Sequence, residues 1–252
     1  MARAAVLGRL TWRVATVVAV RDETATARTI GLDVPGWPGH RAGQHVDVRL
    51  TAQDGYSTER SYSIASAARA APLELTVQRL ADGEVSPYLT QVLAPGDPIE
   101  IRGPVGGWFV WDQASTAPVL MLAGGSGIVP LMAMIRTRAA SAATAPFRLV
   151  YSVRSPETAM YGAELAQRDQ PGSGLEVSYL YTRVAPAGSP VPVGRINAEV
   201  LAARGWPATD EPDVFVCGPT GFVEGAANLL VDAGHKPDRI KTERFGPTGG
   251  QQ

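Results

Sequence analysis

The chain has 252 residues, 45% of them hydrophobic, enough for one large or two ordinary domains with real cores. Its formal net charge of −1 excludes a broadly basic, nucleic-acid-binding surface. Its one cysteine, Cys217, excludes an internal disulfide, a four-cysteine zinc site and a cysteine-ligated iron–sulfur cluster within this stretch. The histidines His40, His45 and His235 are too scattered to suggest a metal site, and the lack of disulfides fits the cytoplasm.

The basic start of the chain is split by Arg9 and Arg13, so it lacks a continuous signal-peptide core and reads as a first strand. Residues 12–21 and 27–34 are rich in β-formers, the second run alternating through Ile30, Leu32 and Val34. A loop by composition spans 35–43, and His45 to Leu50 alternates again through Val46, Val48 and Leu50. Further strands are expected around Arg60–Ile64 and Leu73–Arg79. Ser86-Pro87 reads as an N-cap with proline at the first helical position, predicting a short helix to about Val92. A turn at 95–97 leads to a strand at Ile99–Arg102. Six short strands and one helix predict a small antiparallel β-barrel domain over residues 10–112. Within it, Arg60 could bind phosphate through two donors, and Tyr62 and Ser63 point to opposite faces unless the strand ends there. The same residues also read as a plain strand with a surface arginine.

The second half is organised by Val119 to Pro130. A short apolar run, Val119–Ala123, feeds the glycine turn Gly124-Gly125-Ser126-Gly127, and helical spacing follows through Ile128, Leu131, Met132 and Ile135. Strand, glycine turn and helix in that order make an anion site, because the backbone can approach a phosphate and the helix start offers N–H groups. The turn departs from the dinucleotide fingerprint, with Pro130 where a third glycine would sit. Residues 118–135 carry no charge, but glycines and Pro130 interrupt them, so no membrane span is expected. Strands are expected at Val119–Ala123, Phe147–Ser152, Leu175–Thr182, Asp213–Cys217 and Arg239–Glu243, with helices at Ile128–Ala140, Pro156–Arg168, Asn197–Ala203 and Gly221–Ala233. This alternation predicts a Rossmann-like α/β domain over 117–246 with a five-stranded parallel sheet. A 3-2-1-4-5 strand order would set Gly124–Gly127 opposite Cys217-Gly218-Pro219 across the switch point, with Arg154, Thr182, Arg183 and Arg195 able to line the crevice.

Taken together and in order, these residues resemble the ferredoxin–NADP reductase superfamily of flavoenzymes. The resemblance rests on Arg60-x-Tyr62-Ser63, Gly83-x-x-Ser86, Gly103-Pro104-x-Gly106, Gly124-Gly125-Ser126-Gly127-x-x-Pro130, Cys217-Gly218-Pro219 and Glu243-x-Phe245, spread over residues 12 to 246. It implies FAD on the barrel, bound by Arg60, Ser61, Tyr62 and Ser63, with Arg60 at its phosphate, Tyr62 on the isoalloxazine ring and Ser63 near N5. Gly83, Val85 and Ser86 would give donors to the pyrophosphate. The glycine turn and Cys217-Gly218-Pro219 would hold the nicotinamide nucleotide. Ser63, Cys217 and Glu243 would surround the hydride transfer, and Phe245 would cover the flavin face.

The resemblance also implies a separate acceptor for the electrons, since the single cysteine leaves no iron–sulfur ligands here. A ferredoxin, an oxygenase, a molybdenum-type enzyme or a cytochrome would serve, and the chain is expected to work as a monomer. Thr182 and Arg183, with Arg154 or Arg195, could pair with a 2′-phosphate, and no carboxylate is expected to repel one, so NADPH is favoured over NADH. The alternatives are a reductase of free flavin or a quinone-like acceptor, and a non-enzymatic nucleotide-binding subunit.

Overall fold

The computed structural model describes residues 10–245. The chain start before Leu10 and the expected end of the second domain at residue 246 lie outside the described residues. In the first half, alternation sorts side chains into a sealed interior. Six strands, β1 (Trp12–Thr24), β2 (Ala27–Asp33), β3 (His45–Thr51), β4 (Ser57–Ser63), β5 (Leu73–Gln78) and β6 (Pro98–Val105), form one antiparallel sheet in the order β4-β3-β6-β1-β2-β5. An Ile64–Leu75 bridge and a hydrogen bond from Ala65 N–H to the Glu74 carbonyl draw the sheet's two edges together into a barrel. The inward residues Val17, Ile30, Leu32, Val46, Val48, Leu75, Val77 and Ile101 are at most 1% exposed. Each such burial is worth about 1.5–3 kcal/mol. Helix α1 (Ser86–Gln91) plugs one end of the barrel with Leu89.

The second half forms a parallel sheet of β7 (Val119–Gly124), β8 (Phe147–Val153), β9 (Leu175–Tyr181), β10 (Asp213–Pro219) and β11 (Ile240–Phe245) in the order β11-β10-β7-β8-β9. Numbered within this half, that is the expected 3-2-1-4-5 arrangement. Helices α2 (Ile128–Ala139) and α3 (Gly162–Arg168) cover one face, and α4 (Ala198–Arg204) and α5 (Thr220–Asp232) the other. The central strand β7 is buried along its whole length, so it reads as an apolar run and not as an alternation.

The two halves share a seam. Phe109 packs edge-on against Phe215 at 5.4 Å and Trp111 against Phe147 at 5.0 Å. At the centre Arg136 of α2 gives Nη1 to the Ala65 carbonyl and to Glu74 at 2.8 Å, and reaches Glu164 of α3 at 2.6 Å. Arg136 thus ties the barrel to both helices on one face of the α/β sheet.

Two local expectations give way to tertiary contacts. The helix expected over Pro156–Arg168 is a single 3-10 turn, Pro156–Thr158, followed by α3. Between them Tyr161 takes a left-handed backbone, φ 58°. It is held there by barrel residues: its N–H bonds Glu23 at 3.1 Å and its hydroxyl bonds Thr76. Ser86 is not the N-cap of α1; Val85 is, without a side-chain cap. The Ser86 hydroxyl instead accepts the Leu80 N–H at 3.0 Å, closing the preceding turn.

Candidate active site

The site begins with three glycines that are needed for three different reasons. Gly125 has φ +53° with nothing within 4 Å of where a methyl group would stand, so its requirement is conformational. A Cβ at Gly124 would meet the Phe222 ring at 2.8 Å, which a side-chain shift could relieve. A Cβ at Gly127 would stand 2.0 Å from the Cys217 carbonyl oxygen and 2.7 Å from the Gly218 nitrogen, both backbone. The glycine turn and the end of β10 are therefore in direct backbone contact. A Cβ at Gly218 would in turn lie 3.0 Å from the Gly124 backbone. Helices α2 and α5 both start at this junction with no side-chain cap and no acidic residue in the first turn. Two uncapped helix starts on one crevice leave N–H groups and positive dipole ends for an anionic ligand.

Cys217 ends in full burial, paired in register with Ala123 on one side and Glu243 on the other. Burial first, and the nearby Glu243 carboxyl second, push its thiol well up, so it stays protonated near neutral pH. Burial also pushes the Glu243 carboxyl up to about 7, and its Oε2 has no hydrogen-bond partner among the described residues. Phe245 closes β11, half-buried, paired with Pro219.

On the barrel side, β4 stays in register with β3 through Ser63, so Tyr62 and Ser63 face apart: Ser63 is 4% exposed and Tyr62 half-buried. Burial, partly offset by Arg60, pushes the Tyr62 phenol up to about 12, leaving it a neutral donor. The Ser63 hydroxyl is buried without a partner among the described residues. Ser61 donates its hydroxyl to Asp47 at 2.7 Å. Arg60 is exposed and lies 3.7 Å from Glu84, next to Gly83, Val85 and Ser86. The arginine and the turn before α1 are thereby brought to one rim. Glu84 is a residue that sequence reasoning missed, and it occupies the cation a phosphate would use. An ion pair this exposed is weak, so it yields readily to a stronger anion.

At the far end of the crevice, Arg183 N–H bonds the Arg154 carbonyl at 3.0 Å, Thr182 N–H bonds Val153 at 2.8 Å, and Gly194 N–H bonds Tyr181 at 2.9 Å. Arg154, Thr182, Arg183 and Arg195 are thus gathered at the ends of β8 and β9, and the three arginines are exposed, with no ion pair among the described residues. Nearby, burial first and the Glu157 carboxylate second push the Tyr181 phenol up.

His45 is the other residue missed. It faces Ser63 across the β3–β4 ladder, and its Nδ1 lies 3.8 Å from Glu243 Oε1. No motif announces it; only the meeting of barrel and α/β sheet brings it in. The order is now Ser63, His45, Glu243, Cys217 across the seam. Two buried polar atoms without partners, Ser63 Oγ and Glu243 Oε2, flank it, as expected where a polar ligand completes the hydrogen bonding. That orphaned pair, the Arg60 rim and the uncapped helix ends fit a flavin on the barrel and a nicotinamide nucleotide on the α/β half.

Comparison with known proteins agrees. Residues 12–110 match the family described as the oxidoreductase FAD-binding domain, and residues 121–228 the oxidoreductase NAD-binding domain. The chain is 31% identical over 235 residues to the glycine betaine monooxygenase reductase subunit of Chromohalobacter salexigens, covering 92% of this chain and 63% of that one. It is 30% identical to an NADPH oxidoreductase of Mycobacterium tuberculosis, covering 91% of this chain and 59% of that one. The chain thus spans about 60% of the length of these relatives. The FAD/NAD-binding domain of a nitric oxide dioxygenase from Vibrio cholerae superposes with a TM-score of 0.81 at 25% identity, covering 93% of this chain and 99% of that one. A ferredoxin–NADP reductase from Neisseria gonorrhoeae shares the fold, with a TM-score of 0.79 at 22% identity over 92% of this chain and 98% of that one. With both domains matched in order over most of its length, the chain belongs to the ferredoxin–NADP reductase superfamily of flavin- and nicotinamide-dependent oxidoreductases.

Proposed function

We propose that this chain is an FAD-dependent reductase that draws reducing equivalents from NAD(P)H, NADPH in preference, and passes electrons to a separate acceptor protein. The observation that carries the reading is the seam itself, where Ser63 Oγ and Glu243 Oε2 are buried without partners beside the buried thiol of Cys217. The FAD supplies the redox chemistry, accepting a hydride and releasing electrons to an acceptor. Every other task falls to the chain, as the barrel (10–112) and the α/β half (117–246) divide it.

Arg60, with N–H groups of Gly83, Val85 and Ser86, holds the flavin phosphates, and Tyr62 packs on the flavin ring. The Ser61 hydroxyl is engaged by Asp47, so its share in holding the cofactor falls to its backbone. Ser63 donates its free hydroxyl to the flavin edge. Gly124, Gly125, Ser126 and Gly127, with Cys217, Gly218 and Pro219, hold the nicotinamide nucleotide on the two uncapped helix starts. Cys217, a neutral thiol, and Glu243, a carboxyl group that burial keeps near its midpoint, line the nicotinamide side without placing a fixed charge there. Phe245 covers the seam until the nicotinamide displaces it. Holding two rings in stacking order supplies much of the acceleration in such a reaction. Arg154, Thr182, Arg183 and Arg195 favour a 2′-phosphate.

Relatives that are reductase subunits of monooxygenases support an oxygenase component as the acceptor, within a monomeric cytoplasmic reductase. No helix among the described residues is long and apolar enough to cross a membrane. The test is an anaerobic stopped-flow spectrum of the purified protein with NADPH and with NADH. A yellow protein that bleaches fast with NADPH is expected. A colourless protein that takes up no FAD and oxidises neither nucleotide would refute the reading.

A further inference from the structure

His45 is a titratable side chain beside Ser63 and Glu243 to which the reading above gives no task. It is the first residue of β3, opposite Ser63 on one side and Val105 on the other. Its ring lies against Gly106, where a Cβ would stand 3.4 Å from Nδ1. At 3.8 Å from Glu243 Oε1, Nδ1 is beyond hydrogen-bond distance and within ion-pair reach. The two side chains are 25% and 19% exposed. An imidazole from the barrel thus meets a carboxyl group from the last strand of the α/β sheet.

We propose that His45 and Glu243 share a single proton across the domain seam, with His45 as a positioning residue that sets when the Glu243 carboxyl group is charged. The pairing stands on the geometry; only its consequence for the nucleotide rests on the flavin–nicotinamide reading.

The surrounding charges do not settle the matter for them. From β3, Asp47 faces His45, but it is engaged by Ser61 and by Arg102 of β6 at 2.8 Å. From β10, the neutral Cys217 thiol faces Glu243. On β11, Lys241 turns to the Val110 carbonyl at 2.9 Å and Arg244 bonds Thr242 on the exposed face. Arg41 lies by Gly107, next to the glycine under the ring. Left to themselves, burial disfavours the charged form of both groups, pushing the imidazole down and the carboxyl up. Charged together they compensate each other. Transfer breaks the carboxyl O–H bond and forms an imidazole N–H bond with no change in total charge, so the pair gains or loses protons as a unit with common midpoints. It is net positive below the lower midpoint, neutral between the two, and negative above the upper one. An oxidised nicotinamide ring is cationic and the reduced ring is neutral. A negative pair beside it therefore favours NADP+ over NADPH, so NADP+ should bind tighter above the upper midpoint.

The test is an NMR titration of the full chain carrying 13C-carboxyl glutamate and 15N-histidine, with Glu243→Gln to assign the carboxyl signal. The His45 ring and the Glu243 carboxyl group are expected to report the same two midpoints. In His45→Gln the carboxyl should collapse to a single step. In Glu243→Gln the ring should collapse to a single step displaced downward by about one pH unit or more. A ring titration unchanged in Glu243→Gln, together with a carboxyl titration unchanged in His45→Gln, would overturn the proposal. NADP+ affinity, measured calorimetrically across the same pH range, should rise above the upper midpoint and lose that rise in Glu243→Gln. Common midpoints with a flat NADP+ affinity would sustain the pair and count against a nicotinamide beside it, so the two readings fail separately.

Discussion

Replacing Gly127 with alanine should disable nucleotide binding while sparing the flavin. The added methyl carbon would lie 2.0 Å from the Cys217 carbonyl oxygen, 2.4 Å from its carbon and 2.7 Å from Gly218 N. Ordinary contact needs ~3.5 Å, so the glycine turn and the end of β10 must part by more than ~1 Å. Neither side can yield by a rotamer change, because both contacts are backbone. Overpacking of this kind costs about 1–3 kcal/mol, which in a chain of this size lowers Tm by roughly 2–12 °C. The functional cost should be larger. The movement separates the two helix starts that share the crevice, and a misplacement of about 1 Å can cost on the order of 10²-fold in rate. The assay is NADPH affinity and the rate of flavin reduction, with the flavin spectrum as a measure of FAD retention and calorimetry for Tm. Gly125→Ala is the control: its φ of +53° costs an alanine about 1–2 kcal/mol, but its methyl group meets nothing within 4 Å. Wild-type nucleotide affinity and Tm in Gly127→Ala would refute the close-approach argument.

Three further changes probe other parts of the site. Ser63→Ala removes a buried hydroxyl that has no protein partner, so flavin reduction should slow about 10-fold or more while Tm and FAD content hold; unchanged reduction would count against Ser63. Arg136→Met strips the seam of the cation that bridges Glu74 and Glu164, whose side chains are 25% and 24% exposed. Because of that exposure the loss should fall toward roughly 2–4 kcal/mol, below the buried-pair range of about 3–5, measured by urea unfolding. Burial pushes the Glu164 carboxyl up, but Arg136 and Arg168 more than offset this and leave it below its ordinary value. Glu164 therefore adds stability that is present above its unfolded midpoint of about 4.3 and is lost as pH falls through the folded one. Arg136→Met should flatten that acid limb, and an acid limb as steep as wild type would show that the pairing is inconsequential. Arg183→Ala should weaken NADPH about 10-fold with little effect on NADH, by steady-state KM; equal losses for both would place the 2′-phosphate elsewhere.

The sequence by itself determined the two halves, the parallel character of the second sheet and the glycine turns at its strand ends. Period-2 alternation around Val46, Val48, Leu73, Leu75 and Val77 leaves one face apolar, and only a closed or covered sheet can bury it. The apolar run at Val119–Ala123 followed by glycines marks a central parallel strand for the same kind of reason, burial on both faces. These are local signals, repeated along the chain. What the tertiary structure decided involves pairs far apart in sequence. Residues 156–168 carry helical spacing, but the barrel's Glu23 and Thr76 capture Tyr161 and break the helix in two. Ser86 carries the chemistry of a cap, but the turn at Leu80 claims its hydroxyl. Glu84 beside Arg60 was not legible, because nothing local joins a strand to a turn 24 positions later. His45 was legible only as a strand residue. Its place between Ser63 and Glu243 follows from a ladder inside one domain and a contact with the other, and no spacing along the chain encodes the docking of two domains.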